Sequence, residues 1–142
     1  MNADAQQTDW LEHITDFAVK NGGAGCFINW PRESVRQYLA FHAGQNTLAL
    51  VKDQGEIVSL GTAIQCNPEE ITAKWEWRGT NPFGKILVIL DVVNIRKGGL
   101  TLLFLEMFKR WPAGSVERVV ALRPHKVIEL TPKYIQLAAL KG

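Results

Sequence analysis

The sequence is poor in the residues that build metal and disulfide scaffolds. It has only two cysteines, Cys26 and Cys66, far apart in the chain. No CxxC pair exists, which argues against a structural zinc site. Buried thiols are the expected state, with a disulfide or a thiol nucleophile at Cys26 as the alternatives. The three histidines, His13, His42 and His125, are scattered without ligand spacing, so no metal is expected. Charge of one sign is also scarce. The net charge is +2, and no Lys/Arg run exceeds two residues. No nucleic-acid partner is therefore expected. The longest apolar run, Ile86 to Leu90, is far too short for a bilayer, so no membrane span is expected. The polar start MNADAQQTDW is unlike a signal peptide, and a cytoplasmic location is the expectation. GxGxxG, a GK[ST] phosphate loop and GxSxG are all absent. That argues against a dinucleotide fingerprint, a P-loop and a nucleophile elbow.

What is present suits one soluble domain: 142 residues, 46% hydrophobic and 21% charged. Residues 1–8 read as a flexible polar tail and 9–142 as the domain. Trp10, Ile14, Phe17 and Ala18 recur at helical spacing, with Thr8 or Asp9 as cap. The glycine-rich segment from Asn21 to Gly25 ends that helix. Pro31 opens a second helix, in which Val35, Tyr38, Leu39 and His42 share a face and Gly44 closes it. Thr47–Lys52 and Glu56–Gln65 are strand-like and flank the turn Asp53-Gln54-Gly55, a hairpin signal. Ile71–Trp77 alternates as a half-exposed strand. Ile86–Val93 is apolar on both faces except at Asp91, as in a sheet centre covered on both sides. Leu100, Leu103, Phe104, Met107 and Phe108 form a helical stripe that Trp111-Pro112 stops. Arg118–Leu122 follows as a strand parallel to Ile86–Val93. Lys126–Leu130 reads as a last strand and Tyr134–Leu140 as a weak helix. The expected class is α/β (α+β): antiparallel strands leading into one buried β-α-β unit.

Arg96-Lys97-Gly98-Gly99-Leu100-Thr101 lies between the buried strand and its helix. The first N–H groups of a helix lack partners and the helix dipole attracts anions. Glycine permits close approach of a phosphate, and Arg96 and Lys97 add charge. The plain alternative is a tight turn without a ligand. Asp91 is the one charge in its strand. Burial makes a carboxylate costly unless it is paired. It reads either as a general base or as a structural acid that takes backbone N–H bonds or pairs with Arg118 or Arg123. His42 reads as a satisfied core histidine, and Trp75 and Trp77 as packing under a helix.

The turn is similar to the [QR]-x-x-G-x-[GA] pattern of GNAT acyltransferases, with Arg96, Gly99 and Thr101 at its three fixed positions; Thr101 departs from the expected small residue. Residues 26–135 resemble the RTX toxin-activating lysine acyltransferases in their order. That order is Asn29-Trp30-Pro31, the hairpin TLALVKDQGEIVSLGTAIQ, ILDVV, LTLLFLEMFKRWP and RVVALRPHKVIEL. The resemblance implies a GNAT-like three-layer domain with a central mixed, mostly antiparallel sheet, two N-terminal helices, one β-α-β unit and a shortened C-terminal part. It implies acyl transfer from acyl-CoA or acyl carrier protein to an amine, such as a protein lysine. Val92, Val93 and residues Arg96, Lys97, Gly98, Gly99, Leu100 and Thr101 would bind the donor, and Asp91 would be catalytic. The family's histidine, two residues before the N-W-P asparagine, falls on Phe27, whose ring cannot accept a proton. Glu56, Glu76 and Tyr134 are weaker replacements. A homodimer is expected if the reduced end exposes a strand edge. The rival expectation is a catalytically inactive GNAT-like binding protein, of phage or mobile-element origin.

Overall fold

The computed structural model describes residues 3–22, 27, 29–70, 79–112, 115–123 and 126–130, with only the backbone of 3–8, 70, 122, 123 and 126–128. The expected strand 71–77 and helix 134–140 lie outside the described residues, as do Cys26, Glu76, His125 and the side chain of Arg123.

Helix α1 spans Ala3–Asn21. It starts ahead of the expected cap at Asp9, so the backbone of residues 3–8 continues the helix. Ala3, Ala5, Gln6 and Gln7 are good helix formers, and the polar composition did not prevent extension. Ile14, Phe17 and Ala18 are buried, whereas Trp10 is exposed. Helix α2, Arg32–Gly44, follows Pro31 at its N-cap and buries Val35, Tyr38, Leu39 and His42 as the spacing predicts. Two carboxylates of α1 clamp the helices together, Asp16 pairing with Arg32 at 2.8 Å beside Glu12. Glu12 accepts from Arg36 Nε at 2.7 Å and from Arg32 at 2.6 Å. The Arg36 hydrogen bond first, then the charges of both arginines, hold its carboxyl below the ordinary glutamate range.

Strands β1, Leu48–Asp53, and β2, Glu56–Cys66, are joined by Gln54 and Gly55. Both linking residues have positive φ, 52° and 83°. That is the type I′ geometry whose twist matches a hairpin. Strand β3, Ile86–Asn94, leads into α3, Gly99–Arg110, then β4, Arg118–Arg123, and β5, Lys126–Leu130. Among the described residues the sheet order is β1-β2-β3-β4-β5. Only β3 and β4 run parallel; the other neighbours are antiparallel.

The sheet lies between two helical layers. Helix α3 lays Leu103, Phe104 and Met107 on Ala63, Leu87 and Ile89. Each such side chain contributes about 1.5–3 kcal/mol by leaving water. Helices α1 and α2 cover Leu48, Leu60 and Val93 on the opposite face. Cys66 is buried, as expected.

A β-bulge interrupts the β2–β3 ladder. Thr62 faces Asp91 and Ala63 faces Ile89, leaving Leu90 unpaired. Ile89 packs towards α3, and simple alternation would send Asp91 the same way. The extra residue resets the phase, so Asp91 shares a face with Val93 and meets α2 instead.

His42 is wholly buried. Its Nδ1 lies 2.7 Å from Thr47 Oγ1. Its Nε2 has no hydrogen-bond partner, so the histidine is only half satisfied, contrary to expectation. Desolvation pushes its pKa down from 6.5 to about 4. In the unfolded chain the ring takes up a proton near pH 6.5, and in the fold it does so only near 4. Below pH 6.5 the unfolded state therefore holds more protons and stability falls. Denaturant titrations should show a loss of about 1.4 kcal/mol per pH unit within this window. The slope should be shallower by that amount in His42→Gln. Packing under α3 has its own test. A Cβ at Gly61 would lie 2.7 Å from Met107 Cε and 3.0 Å from Leu103 Cδ2. Gly61→Val should destabilise the fold by about 1–3 kcal/mol in urea unfolding.

Candidate functional site

The bulge delivers Asp91 to a group of aromatic side chains. Tyr38 Oη on α2 donates to Asp91 Oδ2 at 2.6 Å. Tyr38 Oη also lies 2.6 Å from Thr62 Oγ1 on β2. The Asp91 backbone N–H donates to the same Thr62 oxygen at 3.2 Å. Tyr38 and Thr62 are fully buried, while Asp91 is half-buried. The Tyr38 ring meets His42 at 4.6 Å, Phe27 at 5.5 Å and Trp30 at 5.8 Å, all edge-to-face. Phe27 holds a φ of 60°, rare for a bulky residue, and is pinned between Trp30 and Tyr38.

Phe27 thus lies in the same aromatic cluster as the tyrosine that holds Asp91. The arginine partners foreseen for Asp91 fare differently. Arg118 pairs with Glu129 on β5 at 2.8 Å, and the Arg123 side chain is outside the described residues. Glu56, weighed as a substitute base, is exposed at the start of β2, opposite Asp53 in the ladder. Tyr38 itself was foreseen only as a core residue. Its signal was the sharing of a helical face with His42, two polar tips on an otherwise apolar stripe.

Beyond the bulge the sheet opens. The parallel β3–β4 ladder runs from Ile86↔Arg118 to Ile89↔Ala121 and stops there. Both strands continue, β3 to Asn94 and β4 to Arg123. Val92 and Val93 therefore lie on the stretch of β3 past the last β4 pair. Val93 is buried under α1 and α2, and Val92 packs towards α3.

This open stretch runs into the Arg96–Thr101 turn. Gly98 caps α3 with φ 86°, a left-handed conformation that favours glycine. Gly99 N–H donates to Arg96 O at 3.0 Å, and Leu102 N–H donates to Gly98 O at 3.3 Å. The room left by the missing Gly99 side chain is filled. A Cβ there would lie 2.1 Å from Asn94 Oδ1, and Asn94 Nδ2 donates to Arg96 O at 2.9 Å. Asn94, missed by sequence reasoning, thus stitches the turn from within. Arg96 is turned towards the hairpin end, where it pairs with Asp53. Lys97 is exposed beside it. The turn therefore sets two cations beside a helix N-terminus at the end of β3, one of the cations already engaged. Leu100 packs against the α3-side core.

Among the described residues no cluster of His, Cys, Asp and Glu could hold a metal ion, and no helix is long and apolar enough to cross a membrane.

No family model and no curated protein matches the chain. Among solved structures, it resembles the GphF GNAT-like decarboxylase in complex with isobutyryl-CoA. The two share 15% identity with a TM-score of 0.50, over 78% of this chain and 60% of that one. The chain thus spans less than two thirds of that neighbour's length. The likeness rests on architecture, a five-stranded mixed sheet between helices, and by it the fold of this chain is GNAT-like.

Proposed function

We propose that the protein binds an acyl thioester of coenzyme A and transfers its acyl group to an amine. The observation that carries this reading is the parting of β3 from β4 after Ile89 and Ala121. The stretch of β3 past the last β4 pair, Val92 and Val93, would run alongside the amide-bearing arm of the thioester. It leads into the N-terminus of α3, where Arg96, Lys97 and the turn backbone would take the phosphates. Arg96 would exchange Asp53 for phosphate, and an exposed ion pair is weak enough to give way. The solved neighbour is a complex with isobutyryl-CoA, which supports the donor class. Its named chemistry is decarboxylation, so the support reaches the donor and not the transfer.

In this reading the amine nitrogen attacks the thioester carbonyl, a C–N bond forms, the C–S bond breaks, and the thiol leaves with the proton the amine gives up. Placing thioester and amine side by side supplies most of the acceleration. Asp91 would orient the acceptor. Acyl carrier protein as an alternative donor, a lysine side chain as acceptor, kinship to the toxin-activating acyltransferases, a homodimer and a cytoplasmic location belong to the same proposal. A second reading, binding without transfer, is favoured by Phe27 alone, since a phenyl ring occupies the position of the family's proton acceptor.

Thermal unfolding in the presence of acetyl-CoA and a long-chain acyl-CoA tests the donor. At about a hundredfold excess over Kd, a ligand of the folded state should stabilise it by about 2.7 kcal/mol. Arg96→Ala with Lys97→Ala should weaken binding about tenfold or more through loss of two phosphate contacts. Unchanged melting with every thioester, including an acylated carrier protein, would sink the donor reading. Thiol release that depends on added amine separates transfer from silent binding.

A further inference from the structure

Strand β1 forms one margin of the sheet among the described residues. The register shows which of its backbone groups are left over there. Ala63 N–H donates to Thr47 O at 3.1 Å, so these two residues are a hydrogen-bonded pair of the antiparallel ladder. Such pairs alternate with pairs whose N–H and C=O groups point away from the partner strand. Ala49 and Val51 therefore bond to β2, while Leu48 and Leu50 turn their backbone groups outward. Arg110, at the end of α3, donates to Leu48 O and covers it. Among the described residues nothing takes up the N–H and C=O of Leu50, which stay on the open edge.

A groove of about 550 Å³ follows this edge. Leu50, Val51 and Lys52 line it on the strand side, and Leu102, Leu105 and Phe108 on the α3 side. The Leu50 side chain packs into the layer under α1 and α2, so what it offers the groove is its backbone edge. Helix α3 already covers the sheet with Leu103, Phe104 and Met107. Leu102 and Leu105 are surplus to that core and stay 49% and 47% exposed. An open strand edge beside exposed leucines is a surface that invites another chain.

We infer that this surface is the contact between two copies of the chain, related by a two-fold axis beside Leu50. About that axis β1 pairs antiparallel with its own copy, and Leu50 exchanges both hydrogen bonds with Leu50 of the partner subunit. The charges fit the same register. Helix α3 runs antiparallel to β1, since Arg110 meets Leu48 at the start of the strand and Arg96, ahead of α3, meets Asp53 at its end. The axis brings the partner's Lys52 opposite Leu48, the end of the groove where Glu106 lies one helical turn before Arg110. Lys52 has no ion pair within its own chain among the described residues, and Glu106 pairs there with Lys109. Unlike charges thus meet twice, once on each side of the axis. The exposed leucines of the two α3 helices face one another above the joined sheet. The bulge between Val51 and Lys52 and the Arg110 cover keep the strand pairing short, so the leucines supply most of the hold. The assembly is closed, because each chain uses its one β1 edge. This puts the dimer at the β1 margin and not at the C-terminal margin of the sheet, and it does not depend on the acyl-transfer reading.

Sedimentation equilibrium of the intact chain over micromolar concentrations, with amide hydrogen exchange read by NMR, tests the inference. A dimer that dissociates on dilution is expected. The Leu50 amide should exchange more slowly as the chain is concentrated, while Ala49 and Val51, bonded to β2, keep the same protection. Leu102→Glu and Leu105→Glu should each raise the dimer Kd about tenfold or more, with the circular dichroism of the fold unchanged. Lys52→Glu and Glu106→Lys should each weaken the dimer about twofold or more. An equal mixture of those two variants should recover it, because in the mixed pair both charge contacts are again unlike. A chain that stays monomeric, a dimer that both leucine variants leave intact, or Leu50 exchange that ignores concentration would overturn the inference. So would a dimer broken by Arg118→Glu beside β5 and untouched by Leu105→Glu, which belongs to the other margin. Sedimentation and exchange of the unaltered chain decide it even where a variant fails to fold.

Discussion

Asp91 brings the one charge of strand β3 into a sheet covered on both faces, and the structure has to match that charge wherever the strand delivers it. The bulge at Leu90 decides the place. It turns Asp91 away from the apolar cluster under α3 and towards Tyr38. A buried acid facing Leu103 and Met107 would be uncompensated, at a cost of several kcal/mol. Facing α2, the same acid completes a ring of hydrogen bonds. The bulge also comes just where β4 leaves β3, so the register change, the acid and the opening of the sheet are neighbours along a few residues of one strand.

The rest of the fold serves that strand. Helix α2 has to present Tyr38 at hydrogen-bonding distance, and its position is fixed by the Glu12 clamp to α1 and by the shared apolar layer over Leu48 and Leu60. On the other face Gly61 lets α3 approach closely, so the α3 N-terminus is held at the end of β3. Asn94 then ties the intervening turn to its own carbonyls. His42 is the compromise in this packing. It is buried next to Tyr38 with one nitrogen unmatched, and it makes the fold sensitive to acid.

Much of the architecture was legible because it rests on short-range periodicity. The α2 face of Val35, Tyr38, Leu39 and His42, the hairpin at Gln54-Gly55 and the α3 stripe all appear where spacing and turn chemistry put them. The start of α1 was not legible, because a polar segment can be helical without an apolar stripe. The site was legible in part. The phosphate-like turn and Asp91 stand out locally, as a glycine pair after a strand and a charge among aliphatic residues. Their partners do not. Tyr38 is 53 residues from Asp91, and Asp53 is 43 from Arg96. Nothing in the local pattern links such residues. The role of Gly99 was also hidden, since a glycine that makes room for a phosphate and one that makes room for Asn94 look alike in sequence.

The sequence by itself therefore determined the elements, their order and the single charge that had to be accommodated, because these follow from neighbouring residues and the periods of helix and strand. Tertiary structure alone decided which face that charge took, what held it and where the sheet opened. Those depend on an unpaired residue in a ladder and on contacts between distant segments, and a one-residue shift in register moves a side chain from one layer to the other.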